Sequence, residues 1–254
     1  MDSMKLGIMS AMPEEIQRLI VEMGSEAIET HGMREYHSGK LWGIDAILVF
    51  SRWGKVAAAS TATTLISHYG VNRILFTGVA GAADPTLHLG DVVVGTGLIQ
   101  HDMDARPLFP LHEIPLIGQS CFATHPEMTE SLFQAAEKFI KNDFSRAISQ
   151  ELRREFHLSE YPSVQRGTIA SGDKFFASQT ELTGLKKAIP DALCVEMEGA
   201  AVAQICHEYQ IPLAVMRTIS DSADAHAPAH FPKFIRSIAS EYSFGILKEL
   251  LAVQ

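Results

Sequence analysis

Acidic residues stand where apolar stretches of this sequence give way to turns. The segment CVEMEGAAVAQICHEY carries Glu196 and Glu198 just before a helix-like stretch, AMPEE carries Glu14 and Glu15, and MRTISDSAD carries Asp221. A carboxylate in such a place can bind sugar hydroxyls or deprotonate water. If burial raises its pKa, it can instead protonate a nitrogen of a bound base. These acids are therefore candidates for chemistry on a sugar–base linkage.

Each of these acids also has a purely structural interpretation. Asp221 could cap the next turn, and Glu14 and Glu15 are favoured by the helix dipole in a first helical turn. The pair Glu196 and Glu198 could be two solvated acids. At strand spacing the two lie on the same side of the backbone, and they diverge if a helix starts between them. The apolar neighbours and the small-residue run GAAVA favour close packing there, so we expect a carboxylate at this point to bind a partner.

Other residues at strand ends fit a planar ligand. The motif SGDKFF places Phe175 and Phe176 directly after a turn. An aromatic ring there can fill the core or offer a flat face to a nucleobase, and the motif alone does not choose between the two. Arg217 lies in an apolar strand, and Ser220 at the end of that strand could orient the acid that follows it.

The elements that must position these residues alternate along the chain. Strands are predicted over 5–11, 44–50, 73–81, 91–99, 164–172, 191–197 and 212–220, and helices over 13–23, 54–70, 126–141, 145–156, 199–209 and 232–251. Near-continuous apolar strands between helices favour a largely parallel sheet covered on both faces. Ligands bind at the carboxyl ends of such strands. Because the candidate residues follow strands, we expect them to meet at one edge of the sheet.

Composition limits the class of protein. The 254 residues are 46% hydrophobic and 20% charged, with no linker-like segment, which predicts one domain over residues 1–254. A net charge of −9 without a basic stripe argues against nucleic-acid binding. No apolar stretch reaches about 18 residues and no signal peptide is evident, so we expect no membrane span. Three cysteines without a CxxC pattern (Cys121, Cys194 and Cys206) predict buried thiols in the cytoplasm rather than redox or metal chemistry.

A set of motifs extends in order over nearly the whole chain: GIMSAMPEE, GKVAAA, TGVAGAADPTLHLGDVVV, HDMDA, SGDKFF, VEMEGAAVA and RTISDSAD. This set resembles the 5′-methylthioadenosine/S-adenosylhomocysteine nucleosidases of the nucleoside phosphorylase/nucleosidase superfamily. The resemblance implies a single three-layer α/β domain in which helices flank a central mixed, barrel-like sheet. It also implies a homodimer, no cofactor or metal, and a place in methionine salvage.

The implied reaction is hydrolysis of the N-glycosidic bond of a 5′-modified adenine nucleoside, with release of adenine. In this reading Asp221 is the general acid that protonates N7 of adenine, and Glu15 activates the attacking water. Glu198 holds the ribose hydroxyls, and Arg217 helps to hold the water and the carboxylates.

The resemblance also implies contacts with substrate. Phe175 would stack on adenine, Phe176 would offer backbone groups to the edge of the base, and Met197 would pack under the sugar. The remaining predicted substrate contacts are the 5′-substituent pocket (Met12, Trp53 and Phe231), the turn after the third strand (Val79, Ala80 and Gly81), and the secondary positions Glu196 and Ser220.

Departures from the family pattern leave other substrates open. Val79 stands where many relatives carry Ser, Arg52 and Trp53 replace a small and an aliphatic residue, and the loop 101–115 is atypical. A hydrolase of another purine nucleoside, of the futalosine type, is therefore an alternative. A non-catalytic nucleoside-binding protein is a further one. A phosphate-dependent phosphorylase is disfavoured, because SAMPEE is acidic and FTGVAG lacks an Arg and a Ser to hold phosphate. The apolar residues 108–117 are a predicted dimer interface.

Overall fold

A mixed sheet of eleven strands runs through the protein. The computed structural model describes residues 4–221 and 227–252. The strands are β1 (Lys5–Ser10), β2 (Ala27–His31), β3 (Arg34–Leu41), β4 (Ile44–Phe50), β5 (Arg73–Phe76), β6 (Val79–Ala82), β7 (Val92–Gln100), β8 (Cys121–Ala123), β9 (Val164–Ser171), β10 (Ala192–Glu196) and β11 (Leu213–Asp221).

Helices cover both faces of this sheet. They are α1 (Pro13–Met23), α2 (Lys55–Ser67), α3 (Pro126–Asn142), α4 (Phe144–Ala147), α5 (Gln150–Glu155), α6 (Gln179–Ala188), α7 (Gly199–Tyr209), α8 (Ala227–Phe234) and α9 (Ser240–Leu251), with a π-helical turn over Ile235–Ala239 before α9. One core layer lies between the sheet and α1, α3 and α9, and a second lies between the sheet and α2 and α7. Among the described helices, none has the length and apolar character needed to cross a membrane.

Five strands close into a barrel. β11 pairs with β6 on one side and with β7 on the other, and β10 and β9 complete the ring between them. β5, β1 and β4 extend the sheet from β11 in parallel, and the β2–β3 hairpin forms its outer edge. The expected α/β fold with a mixed, barrel-like sheet flanked by helices is confirmed. Antiparallel partners such as β6–β10 and β7–β11 make the sheet mixed rather than largely parallel.

Element bounds differ from the predicted ones in a few places. The strand predicted over 73–81 is two strands, β5 and β6, separated at residues 77–78, and the helix predicted over 145–156 is two short helices. The last helical region begins at Ala227 rather than near Pro232. The sequence pattern missed β2, β3, β8 and α6. These elements are largely exposed or short, so they lack the near-continuous apolar run by which the other elements were predicted.

Candidate active site

A pocket opens at the carboxyl ends of the barrel strands. The space inside it that protein atoms do not fill amounts to about 600 Å³, part of which is open to solvent. Its lining contains all fifteen residues that the sequence analysis singled out, together with Ala11, Gly78, Lys174 and Val195. Convergence follows from topology, because the lining is drawn from the ends of β1, β10 and β11, the strand β6 and the segments after β4 and β9.

Glu15 is held at the floor of the pocket by backbone amides. The N–H groups of Ala11 and Met12 donate to its Oε2 at 2.9 Å each, and the N–H of Val79 donates to its Oε1 at 3.1 Å. The residue is buried. Burial raises the pKa of Glu15 to about 7, although the amides and the charge of Arg217 act in the opposite direction. A carboxyl group with this pKa can act as a general base near neutral pH.

The break between β5 and β6 makes room for this carboxylate. A Cβ on Gly78 would lie 3.0 Å from Glu15 Oε1, so only glycine leaves the carboxylate undisturbed. The neighbouring acid Glu14 is exposed. The structure therefore separates the two acids of the first turn of α1, which the sequence alone could not do.

Glu196 and Arg217 form a buried ion pair beside the pocket. Nη2 and Nε of Arg217 donate to Glu196 Oε2 at 2.7 Å and 3.2 Å. The charge of Glu196 raises the pKa of Arg217, whereas burial alone would lower it. Glu196 also accepts from the N–H of Gly199 at 2.8 Å and from the hydroxyl of Ser171. The side chain thus ties β9, β10 and β11 to the first turn of α7.

Glu198 has a hydrogen-bond partner of its own. β10 ends at Glu196 and α7 begins at Gly199, so the two acids lie in different backbone conformations. Glu198 Oε1 accepts from the N–H of Gly54 at 2.8 Å. Burial first, and then the negative charge of Glu196, raise the pKa of Glu198 to about 8. The two acids that flank Met197 both line the pocket, but Glu196 is held by Arg217 whereas Glu198 is held by a backbone amide.

The turn that meets Glu198 is itself anchored. Gly54 has a φ of 93°, in the left-handed region that favours glycine. The next amide, Lys55 N–H, donates to Asp173 Oδ1 at 2.7 Å, and Lys55 Nζ lies 2.6 Å from Asp102 Oδ1. Asp102 in turn accepts from the N–H of Asp173 at 3.0 Å. The segment after β9 and the loop after β7 therefore position the donor to Glu198.

Asp221 lies at the last position of β11. It is buried, and the hydroxyl of Ser220 donates to its Oδ2 at 2.7 Å. The oxygen of Ser220 also lies 3.4 Å from the carbonyl of Ala80, which places the pair beside β6. The rest of the SDSAD motif, Ser222 to Asp224, lies outside the described residues.

Three aromatic rings line the mouth of the pocket. Phe231 meets Trp53 and Phe175 edge to face, with ring centroids 6.2 Å and 5.8 Å apart. Trp53 and Phe175 are exposed, so a ligand could cover them. The ring of Phe176 is buried in the core and packs edge to face against His101 at 5.2 Å. Only the backbone of Phe176 is then suited to a base edge, as the resemblance implied.

The pocket is rich in acids, and the cations that line it are already paired. Four carboxyl groups line it, whereas Arg217 is engaged by Glu196 and Lys174 is paired with Glu181 at 2.7 Å. Neither of these two cations is therefore free to bind an incoming anion such as phosphate. The arrangement suits an uncharged nucleophile better than phosphate.

A sequence profile described as "Phosphorylase superfamily" matches residues 5–252. The chain belongs to this superfamily. A curated relative named 5′-methylthioadenosine/S-adenosylhomocysteine nucleosidase, from Shewanella putrefaciens, is 33% identical over 251 residues and covers 99% of each chain. This likeness places the chain in the family that the motifs indicated.

Solved structures give the same result. The nucleosidase of the same name from Neisseria meningitidis, in complex with methylthio-immucillin-A, superposes with a TM-score of 0.85 at 29% identity and covers 98% of this chain and 99% of its own. Futalosine hydrolase of Helicobacter pylori superposes with a TM-score of 0.79 at 32% identity, over 97% of each chain. Both of these similar proteins are hydrolases by name.

Four lining residues were not named from the sequence. Ala11, Gly78 and Lys174 lie in the segments around strand ends where ligand-binding residues are expected, but the sequence pattern assigned them no role. Val195 lies inside β10 and carries no such signal. The hydrogen-bond partners Gly54, Asp173 and Ser171 also lie in such segments, but the sequence could not assign their contacts, which connect segments far apart in the chain.

Proposed function

We propose that this enzyme hydrolyses the N-glycosidic bond of a 5′-modified adenine nucleoside, 5′-methylthioadenosine or S-adenosylhomocysteine, and releases adenine. The named activity of its relatives supports this substrate class. The observation that carries the proposal is the convergence of Glu15, Glu198 and Asp221 in one pocket beside Phe175.

Asp221 protonates the leaving base. Cleavage of the bond gives the sugar oxocarbenium character and leaves electrons on the departing adenine. A proton from the Asp221 carboxyl to N7 neutralises the base, and the Ser220 hydroxyl holds that carboxyl in place. Nearby carboxylates stabilise the positive charge that develops on the sugar.

The other two acids, Glu15 and Glu198, act on the water and on the sugar respectively. Glu15, with a pKa raised to about 7, removes a proton from the attacking water. Glu198 accepts hydrogen bonds from the ribose hydroxyls, held in position by the Gly54 N–H. Met197 packs under the sugar, and Arg217 holds Glu196 and orients this side of the pocket.

The aromatic residues at the pocket entrance contact both the adenine and the 5′-substituent of the substrate. Phe175 stacks on adenine, and Met12, Trp53 and Phe231 surround an apolar 5′-substituent. Removal of adenine from methylthioadenosine would leave a methylthio sugar, which connects the proposed reaction to methionine salvage.

The test is release of free adenine from methylthioadenosine by the purified protein, with and without phosphate. We expect adenine and a free sugar at a rate that phosphate does not change. A phosphate-dependent rate with a sugar-1-phosphate product would identify a phosphorylase instead. Tight nucleoside binding without any adenine release would identify a binding protein.

A second candidate substrate is a futalosine-type nucleoside, because the similar Helicobacter pylori structure carries that name. Arg52, which motivated this alternative, donates from Nη2 to the carbonyl of Met33 at 2.7 Å and is exposed. A comparison of kcat/KM on methylthioadenosine, adenosylhomocysteine, inosine and aminodeoxyfutalosine decides between the two. We expect kcat/KM on methylthioadenosine and adenosylhomocysteine to exceed kcat/KM on the other two nucleosides by at least about tenfold.

The proposed assembly is a homodimer in the cytoplasm. Leu108 and Leu116 in the loop after β7 are 83% and 94% exposed, which is unusual for leucines and fits a surface covered by a second copy. The three cysteines are free thiols, which fits a reducing compartment. Cys194 and Cys206 are buried as predicted, whereas the prediction of a buried thiol was wrong for Cys121, which is exposed.

A further inference from the structure

Two histidines and a glutamate meet at the outer edge of the sheet. Glu29 and His31 lie two residues apart on β2, so their side chains point to the same face of the strand. His68 follows α2 directly, at its C-terminal cap. The β2–β3 hairpin and the end of α2 thus bring three metal-binding side chains together, and none of the three lines the pocket described above.

We propose that Glu29, His31 and His68 form a binding site for a divalent transition-metal ion, with Zn²⁺ as the representative ion. One ligand atom from each side chain lies within 4.8 Å of the others. His31 Nε2 is 3.8 Å from Glu29 Oε2, and the His31 and His68 rings are 4.2 Å apart at their centroids. Within the described residues this is the one such group of three or more histidine, cysteine or acidic side chains.

The geometry needs only a small contraction. Ligand atoms about 2.1 Å from a tetrahedral zinc ion lie about 3.4 Å from one another. The observed spacing of up to 4.8 Å must therefore shorten by up to about 1.4 Å, which rotation of side chains can supply. Glu29 and His68 are exposed and His31 is partly exposed, so they have the freedom to turn and the ion has access from solvent.

A tyrosine pair supports the ligands from behind. Tyr36 and Tyr69 stack at 4.9 Å, and His31 lies edge-on to both rings, at 5.9 Å and 5.8 Å. His68 contacts Tyr69 edge to face at 4.8 Å. Glu29 is the cross-strand neighbour of Tyr36. These contacts keep the two histidine rings beside each other, as outer groups do around bound metal ions.

The surrounding charges favour a cation. The last turn of α2 carries the negative end of the helix dipole, and His68 lies there. Arg34 faces His31 across the hairpin, but its guanidinium donates to the carbonyls of Ser51, Gly32 and Ala57. Its charge is therefore directed at those carbonyls.

The ligand set selects the class of ion. Two imidazoles and one carboxylate suit Zn²⁺, Ni²⁺ or Cu²⁺, whereas Mg²⁺ and Ca²⁺ require a shell of oxygen ligands. Three protein ligands leave a fourth position for water. A bound ion would tie the edge hairpin to α2 and would stabilise the folded chain through binding.

Isothermal titration of the tag-free protein with ZnCl₂ at pH 7.5 tests the site. The exposed thiol of Cys121 is a competing ligand, so the parent protein and all variants carry Cys121→Ser. We expect one saturable site per chain, with MgCl₂ giving no such binding. His31→Phe and His68→Phe keep a ring against the tyrosines but remove the nitrogens. Each should weaken zinc binding by at least about tenfold. Glu29→Gln should also weaken zinc binding.

Controls separate ligation from folding. His157→Asn, at an exposed histidine elsewhere, should leave zinc binding unchanged. Co²⁺ should give visible absorption in the parent that both phenylalanine variants lose. Circular dichroism of the metal-free variants reports whether they fold. The proposal is overturned if the parent shows no saturable zinc site, or if the folded His31→Phe/His68→Phe double variant binds zinc as tightly as the parent. Adenine release is measured separately in the metal-free protein, and its outcome does not depend on whether this site binds zinc.

Discussion

The acids of this pocket are all buried, and their neighbours give them different properties. Glu15 and Glu198 lie in the same pocket with pKa values raised to about 7 and about 8, and each is held by backbone amides. Glu196, equally buried, is matched by Arg217. One residue type thus serves as a proposed base, a proposed hydroxyl acceptor and a structural anion, because the neighbours of each differ.

Asp221→Asn should lower kcat for adenine release by about 10²–10⁴-fold or more, because an amide cannot protonate N7. Affinity for a substrate analogue should change little, since the amide keeps the shape of the side chain. Steady-state kinetics and analogue titration measure the two effects. Turnover near that of the parent would remove Asp221 from the role of general acid.

The pKa of Glu15 predicts the acid limb of the pH profile. A general base must be unprotonated, and burial raises the pKa of Glu15 to about 7. As pH falls below about 7, kcat/KM should therefore drop by about tenfold per pH unit. The measurement is kcat/KM from pH 5 to 9, with circular dichroism to verify folding at each pH. A flat profile between pH 5 and 7 would contradict the assignment.

At the scale of elements, the break between β5 and β6 is needed for the Glu15 site. Gly78→Ala places a Cβ 3.0 Å from Glu15 Oε1, so we expect the carboxylate to move and kcat/KM to fall by at least about tenfold. The matched control is Gly184→Ala in α6, where an added Cβ meets nothing within 4 Å. The control should keep full activity and gain about 0.5–1 kcal/mol in unfolding free energy. Equal activity of the two variants would show that this contact is unimportant.

Glu196 joins three strands and a helix, so its removal should act on stability. Glu196→Gln leaves Arg217 buried without its ion-pair partner, and we expect a loss of about 3 kcal/mol in the free energy of unfolding. Urea denaturation measures it. Asp45→Asn, which removes the partner of Lys40 in an exposed pair, should leave the midpoint nearly unchanged. A Glu196→Gln variant as stable as the parent would argue for a role in binding substrate.

The turn before α2 couples distant segments to the pocket. Asp173→Ala removes the acceptor of the Lys55 N–H, and the adjacent Gly54 N–H then holds Glu198 less firmly. One lost hydrogen bond of about 1 kcal/mol predicts a roughly fivefold rise in KM. Asp84→Ala, which removes a similar turn bond to Thr86, should leave KM unchanged. An unchanged KM in Asp173→Ala would show that Glu198 does not depend on this turn.

At the scale of the whole molecule, the proposed dimer rests on the exposed leucines of the loop after β7. Leu108→Lys/Leu116→Lys should convert the protein to a monomer, because charges on a covered apolar surface oppose association. Light scattering after size exclusion reports the mass. Val56→Lys, at another exposed apolar position, is the control and should leave the mass unchanged. A parent protein that is itself monomeric would reject the interface.

The sequence by itself determined the class of fold and the residues at the pocket. Apolar runs place β1, α1, β4 and α7 at their observed bounds or within a residue, because a buried strand or an amphipathic helix leaves a local pattern of hydrophobicity. Motifs at strand ends led to the carboxylates, because the carboxyl ends of adjacent parallel strands lie at one edge of the sheet, where ligands bind.

Only the tertiary structure decided which groups each acid contacts. It paired Glu196 with Arg217, turned Glu15 inward and Glu14 outward, and brought the Gly54 amide to Glu198 across 144 positions in the chain. It also closed the barrel and brought Glu29, His31 and His68 together. These features depend on contacts between distant segments, and the charge state of a buried group is set by its neighbours in space, which a local sequence pattern does not specify.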